Sequence, residues 1–315
     1  TAYLKAHYPI EFMAALLEGD LDNFDRVIID LAECERLGIE VLPPSINESG
    51  YYFDAEGDHA IRFGLGGIKN VGDDIVKNIV KERCEHGQFK HLDDFVHRMF
   101  SSVAKRAMEY LIMAGAMDIF GDRNALLQIL PGIYEKEKAR SKTQVLGQID
   151  IFSLTSNGEE KKEETVAMTP LPNIEKTPIA QTLAWEKELL GLYFSSHPLD
   201  SFQEFFESKN VIPLRQALDE KKNNDLVILG VMVDKVRKIT TKKGEIMAFL
   251  TIEDKTATSD AIVFPRTYQE LKDSLTENKP ILIAGRINVK DGEKSIIIEK
   301  AKYIDEEKCK SNFDG

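Results

Sequence analysis

Residues 261–275, Ala261-Ile-Val-Phe-Pro-Arg-Thr-Tyr-Gln-Glu-Leu-Lys-Asp-Ser-Leu275, decide how the C-terminal third is read. An apolar run, Ala261–Phe264, stops at Pro265, and beyond it Tyr268, Leu271 and Leu275 recur at helical spacing. That predicts a short strand running into a helix. Upstream, Val227, Leu229, Val231 and Val233 alternate with other residues, as do Ile246, Ala248, Leu250 and Ile252. A period of two marks strands with one buried face. Downstream, Ile281–Ile287 and Ser295–Glu299 complete the set.

The order strand, strand, strand, helix, strand, strand over residues 226–304 predicts a five-stranded β-barrel of the oligonucleotide-binding (OB) arrangement. The chain carries a net charge of −12, unevenly spread. Residues 226–304 hold 14 Lys and Arg against 11 Asp and Glu, and the rest hold 27 against 42. Overall charge therefore excludes little. Lys235-Val-Arg-Lys-Ile-Thr-Thr-Lys-Lys243 gathers basic residues without an acid across the first strand and loop. Arg266, Arg286, Lys290 and Lys294 add to the fourth and fifth strands and their loop. OB barrels take single strands on that face, with aromatics as stacking platforms. The candidate contacts are Lys235, Arg237, Lys238, Lys242, Lys243, Phe249, Phe264, Arg266, Arg286 and Lys290. Phe249 and Phe264 have a second reading as core, the usual place for a strand phenylalanine.

The first two-thirds read as helical. Phe12, Met13, Leu16 and Leu17 repeat at helical spacing, as do Val27, Ile28, Leu31 and Leu37, and Gly38 stops the run. Val41-Leu-Pro-Pro is a breaker, and Tyr51–Phe53 with His59–Phe63 flank an acidic turn like a hairpin. From Gly64 to Ile133 the expectation is short helices between glycine turns. Residues 155–178, charged and proline-containing without apolar periodicity, have linker composition. Gln181–Leu192 resumes a helix.

Ile68-Lys-Asn-Val-Gly72 followed by Asp73 predicts a sharp turn opening a new helix. Gly72 and Asn70 are the residues there that tolerate positive φ. Such a helix-hairpin-helix turn aims backbone N–H groups at a phosphate, which makes Lys69, Asn70, Val71 and Gly72 candidates for duplex contact. An ordinary helix–helix turn is the alternative. Lys105-Arg-Ala-Met-Glu-Tyr-Leu-Ile-Met leads to Ala114-Gly-Ala-Met117, read as a second such turn, with Lys105 and Arg106 able to touch phosphate. Gln148-Ile-Asp-Ile-Phe152 is a short linear pattern in which Ile151 and Phe152 fill a pocket while Gln148 bonds at its rim. Packing at a helix end is the alternative.

No apolar run approaches the ~20 residues a membrane helix needs. Cys34, Cys84 and Cys309 are widely spaced, which points to a reducing, cytoplasmic setting. The opening Thr1-Ala-Tyr-Leu-Lys is neither signal peptide nor initiator Met and reads as an internal start. Asp20 and Asp22 lack a third carboxylate, and Cys84, His86 and His91 lack the spacing of a zinc site. No nucleophile elbow or P-loop occurs, so no catalytic residue, metal or cofactor is assigned to this chain.

With these pieces in order, the chain resembles the C-terminal half of the bacterial DNA polymerase III alpha (polymerase) subunit family. Thr1-Ala-Tyr-Leu-Lys-Ala-His-Tyr-Pro, Phe12-Met-Ala-Ala-Leu-Leu, Glu35-Arg-Leu-Gly-Ile and Ile61-Arg-Phe-Gly-Leu-Gly-Gly-Ile-Lys-Asn-Val-Gly carry the match. Leu111-Ile-Met-Ala-Gly-Ala-Met-Asp and Trp185-Glu-Lys-Glu-Leu-Leu-Gly-Leu-Tyr-Phe-Ser-Ser-His-Pro-Leu extend it. The resemblance implies that residues 1–60 end a fingers domain and 61–154 form a tandem helix-hairpin-helix domain. Residues 155–178 would be a flexible linker, 179–225 a helical connector, 226–304 the OB domain and 305–315 a tail. It implies that Gln148, Asp150, Ile151 and Phe152 bind the sliding clamp (the beta subunit). Catalytic aspartates with their Mg²⁺ would lie upstream, and a clamp-loader contact beyond this chain. The expected partners are double- and single-stranded DNA and the clamp, with no membrane. Competing readings are an OB module of a repair or translation factor and a protein-interaction scaffold.

Overall fold

The computed structural model describes residues 2–21, 24–145, 166–241, 243–272, 274–290 and 292–304. The chain divides into two compact units, one of residues 1–21 and 37–195, the other of 22–36 and 196–315.

The first unit opens with helices α1 (Ala2–His7) and α2 (Pro9–Asp20), whose Met13, Ala14 and Leu17 are buried. Beyond Gly38, which takes φ 71°, come strands β1 (Glu40–Leu42), β2 (Asp54–Glu56) and β3 (Ala60–Arg62). β3 is central, antiparallel to β2 and parallel to β1. The expected hairpin thus gains a third strand from the residues read as a breaker, and its acidic residues form strand β2 itself. The loop after β1 is pinned by its own polar groups. Asn47 exchanges two 2.8 Å hydrogen bonds with the Phe89 backbone, while Arg83 donates to the carbonyls of Ile46 and Ser49.

Next come α4 (Asp73–His86), α5 (Leu92–Met99), α6 (Lys105–Met113) and α7 (Arg123–Val145), numbering α3 (Phe24–Arg36) with the second unit. The first three turn an apolar stripe inward: Val76 and Ile79 on α4, Phe95, Val96 and Met99 on α5, and Met108, Leu111 and Ile112 on α6. Each fully buried side chain of this kind stabilises by about 1.5–3 kcal/mol. The region read as short helices ends instead in one 23-residue helix, which passes through Pro131 and Gly132.

Of the stretch read as a flexible linker, residues 155–165 lie outside the described residues. Residues 166–178 run as an irregular strap on the hairpin helices. Thr169 donates through N and Oγ1 to Asp93, at 2.9 and 2.6 Å, and Thr177 donates likewise to Asp122, both at 2.9 Å. Helix α8 (Ile179–Leu189) also belongs to the first unit. Linker composition reports the lack of an apolar face, and hydrogen bonds to threonine leave no such periodicity.

The second unit holds α3, α9 (Gln203–Ser208), α10 (Leu214–Glu220) and the barrel strands β4 (Leu226–Thr240), β5 (Ile246–Glu253), β6 (Thr258–Val263), β7 (Pro280–Lys290) and β8 (Glu293–Tyr303). Helix α11 (Pro265–Leu271) lies between β6 and β7. The strands close in the order β4-β5-β6-β8-β7, with β6 parallel to β8. This is the expected OB-fold, following a helix-hairpin-helix region. Val227, Leu229, Val231, Ala248, Leu250, Ile252, Ala261, Val263, Ile281, Ile283 and Ile296 fill its core.

Candidate nucleic-acid interfaces

In the first unit, the turn before α4 is built around Asn70, not Gly72. Asn70 takes φ 66°, whereas Gly72 is extended, at φ −71° and ψ 151°. Gly72 is the residue capping the helix start, where extended backbone is normal and positive φ is not needed. Lys69 and Asn70 are exposed, Val71 is buried and Gly72 is exposed. The Val71 amide closes on the Ile68 carbonyl at 3.3 Å and that of Lys69 on the Leu189 carbonyl at 2.9 Å. The first-turn amides of Asp73 and Asp74 have no acceptor within the helix. The Asp73 carboxylate accepts a hydrogen bond from the Tyr51 hydroxyl, which with burial pushes that phenol up to about 12.

The second turn is not where the sequence suggests. Ala114-Gly-Ala-Met117 is wholly buried. Gly115, at φ 83°, has no room for a Cβ because the Arg123 guanidinium lies there, and the Ala116 carbonyl accepts from Ile46 at 2.7 Å. The partner of the first turn is Phe100–Ala104, before α6. Its Ser101 and Ser102 are exposed, Val103 is buried and Ala104 is exposed, repeating the pattern of residues 69–72. Ala104 takes φ −67° and ψ 147°, close to Gly72, and neither residue caps its helix with a side chain. The backbone bonding repeats as well. The Gly72 carbonyl accepts from Ile75 and Val76 at 3.0 and 3.2 Å, and that of Ala104 from Ala107 and Met108 at 2.9 and 3.2 Å. Where the first turn carries Asp73 and Asp74, the second carries Lys105 and Arg106. Lys105 pairs with Glu109 at 3.7 Å, and Arg106 donates to the Tyr110 hydroxyl at 3.0 Å. The missed signal was the recurrence of valine and a small residue, Val71-Gly72 and Val103-Ala104.

On the barrel, inward residues alternate with an outward row. Arg237 on β4 stands opposite Phe249 on β5, which stands opposite Ile262 on β6. Phe249 is 37% exposed and Phe264 is 47% exposed, so neither belongs to the core. Both escape it for one reason: buried Ala248, Leu250 and Val263 already take the inward positions beside them. Ile239 opposite Met247, and Ile297 beside Ile262, widen this apolar platform. Sequence reading omitted these aliphatic residues because half-exposed and core aliphatics look alike in a strand. Lys235 and Arg237 are exposed on this face, Lys238 is exposed opposite Ala248 on the other side of the strand, Lys243 is exposed in the loop before β5, and Lys290 is exposed at the end of β7. Lys242 lies outside the described residues, as do Gln148, Asp150, Ile151 and Phe152.

Arg286 and Lys294 are bound within the fold, and Arg266 stands elsewhere than the sequence places it. Arg266 sits on α11 and not on a late strand. Arg286 donates to Glu299 at 2.7 Å and to the Asn224 carbonyl at 3.1 Å. Lys294 caps the end of α10, donating to the carbonyls of Leu218, Asp219 and Lys221. A cation there meets unsatisfied carbonyls and the negative helix end. His86 and His91, weighed as metal ligands, pair with Glu82 at 3.1 Å and accept from the Asp94 amide.

A family model described as a helix-hairpin-helix motif matches residues 38–126, and one described as an OB-fold nucleic acid binding domain matches 227–304. Those modules define the class: a helix-hairpin-helix and OB-barrel protein of the nucleic-acid-binding kind. Nearly the whole chain corresponds to a segment of the DNA polymerase III alpha subunit family. It is 35% identical over 97% of its length to the alpha subunit of Saccharopolyspora erythraea. It is 36% identical to those of Bacillus subtilis and Thermus aquaticus, over 97% and 98% of its length. The chain spans about a quarter of those relatives, 26%, 26% and 24%. No described helix is long and apolar enough to cross a membrane.

Proposed function

We propose that this segment holds DNA for a replicative polymerase, gripping duplex through the two exposed turns of the hairpin unit and single strand through the outer face of the barrel. The observation that carries the reading is the row Arg237–Phe249–Ile262. It places a solvent-facing ring between a cation and an aliphatic side chain on a barrel built for oligonucleotides. Bases stack on such a ring without sequence preference while the cation follows the backbone. Replacing Phe249 with Ala should weaken single-strand binding by about 1–3 kcal/mol, the usual worth of one stacked base. Fluorescence anisotropy with a labelled oligonucleotide reads this directly, and unchanged affinity in the folded variant rules the platform out. The duplex contact is sequence-independent: backbone amides at the starts of α4 and α6 reach phosphate oxygens, with Lys69, Lys105 and Arg106 supplying charge.

The same reading gives Gln148–Phe152 the role of a sliding-clamp ligand. Ile151 and Phe152 would contribute about 1.5–3 kcal/mol each on burial, against roughly 1–2 kcal/mol per residue of backbone ordering. An isolated peptide should therefore bind weakly, and attachment to common DNA should raise the effective concentration. Surface plasmon resonance on immobilised clamp tests this. Ile151→Ala with Phe152→Ala should abolish capture and leave DNA binding intact, and parental capture by the double variant removes the assignment. Polymerase catalysis with Mg²⁺, and any clamp-loader contact, fall to segments of the relatives that this chain does not span.

A further inference from the structure

We propose that Glu186 is a positioning residue for duplex binding, acting through α8 to hold the two exposed turns of the hairpin unit in one arrangement. The proposal rests on the reading that those turns meet the duplex backbone.

Glu186 is a carboxylate only 1% exposed, in a helix that the sequence reads as a mere connector. Its Oε1 accepts from Arg123 Nη2 at 3.0 Å and from Ser195 Oγ at 2.5 Å, and its Oε2 accepts from the Phe194 and Ser195 amides at 2.8 and 3.0 Å. A buried charge is tolerated only when paired and fully hydrogen-bonded, and this one is. Arg123 uses its other nitrogens on the second hairpin. Nη1 donates to the Met113 carbonyl at 3.1 Å, at the last residue of α6, and Nε donates to Asp118 at 3.0 Å. Burial lowers the Arg123 pKa, but the Asp118 and Glu186 carboxylates outweigh it and hold the group above its ordinary value. The guanidinium thus grips the far end of the helix whose first turn carries Lys105 and Arg106.

Three residues beyond Glu186, α8 reaches the first turn. The Leu189 carbonyl accepts the Lys69 amide at 2.9 Å, beside Asn70 in its left-handed conformation. Within itself that turn closes the 3.3 Å bond from Val71 to Ile68, and α8 anchors it from outside through the Leu189 carbonyl. The path runs from Lys69 through Leu189 and one turn of α8 to Glu186, then through Arg123 to Met113 and α6. Two separated turns engage one duplex together only if their separation is fixed, because a flexible pair pays ordering entropy at every encounter.

The test uses the full chain and three variants. Duplex affinity is followed against salt by anisotropy, exchange of the Lys69 amide by NMR, and single-strand affinity serves as the internal control. Glu186→Gln keeps shape but loses the ion pair, and should weaken duplex binding about tenfold. It should also flatten the salt slope by about one phosphate contact, near 0.9, and speed Lys69 exchange, with single-strand affinity unchanged. Arg123→Lys keeps the buried charge but cannot span Glu186 and Met113 together, and should shift the same readouts in the same direction. It stands in if the glutamine variant does not fold. Lys105→Glu with Arg106→Glu tests the underlying reading. If that charge reversal leaves duplex binding intact, the turns do not meet DNA. If it weakens binding while folded Glu186→Gln or Arg123→Lys matches the parent in duplex affinity and slope, the positioning role is overturned.

Discussion

Asn70 and Gly72 exchange the roles that their residue types suggest. The asparagine occupies the left-handed conformation at φ 66°, and the glycine at φ −71° has nothing within 4 Å of a Cβ position. Asn70→Val should cost the hairpin unit about 1–2 kcal/mol, since a β-branched side chain is strained there. Gly72→Ala should cost less than that, because a gain of about 0.4–1 kcal/mol from restricting the unfolded chain is set against alanine's poorer capping of the helix start. Denaturant titration of both variants checks the order, and a larger loss at Gly72 would reverse the geometry. Both residues were visible as turn formers in the sequence, but φ is assigned by neighbours. The Lys69 amide is taken by Leu189, a residue far along the chain, and no local pattern announces that. The same limit explains Lys294, Arg286 and Phe249. Charge and aromaticity can be read from residue type, whereas the carbonyls, carboxylates and filled inward positions that settle their use come from other elements.

Elements with a strong period were legible. The alternation in β4 and β5, and the helix between β6 and β7, follow from burying one face of each strand around a closed core. Elements without a period were not. The strap 166–178 is held by Thr169 on Asp93 and Thr177 on Asp122, with Leu171 seated where Gly121 lacks a side chain. Burial alone would raise the Asp122 pKa, but hydrogen bonds from Thr177, Ala125 and Asn124 outweigh it and hold the carboxyl below its ordinary 3.8. A depressed carboxylate contributes stability above its unfolded pKa, and that contribution is lost as pH falls through the folded value. The strap and the start of α7 should therefore loosen only below about pH 4, and not at neutral pH. Amide exchange at Asn124 and Thr177 reads this, with Thr177→Val removing the acid-dependent part. Protection unchanged down to roughly pH 3 would show that the clasp carries no such linkage.

At the scale of the whole molecule, the described residues form two units and contain no cluster of three or more His, Cys, Asp or Glu side chains that could hold a metal. Incubated with primed template, Mg²⁺ and deoxynucleotides, this chain should not extend the primer, and templated extension would place catalysis within it. The division of labour follows from the surfaces. Paired helix starts with Lys105 and Arg106 suit a phosphate backbone, and an apolar platform edged by Arg237 suits unstacked bases. The decisive measurement is a crossed binding experiment on the full chain, titrating duplex and single-stranded DNA against the parent, Lys105→Glu/Arg106→Glu and Phe249→Ala. The account predicts that the charge reversal loses duplex and keeps single strand, while Phe249→Ala does the opposite. If both variants lose both ligands alike, or neither variant loses either, the two surfaces are not separate DNA sites and the account fails.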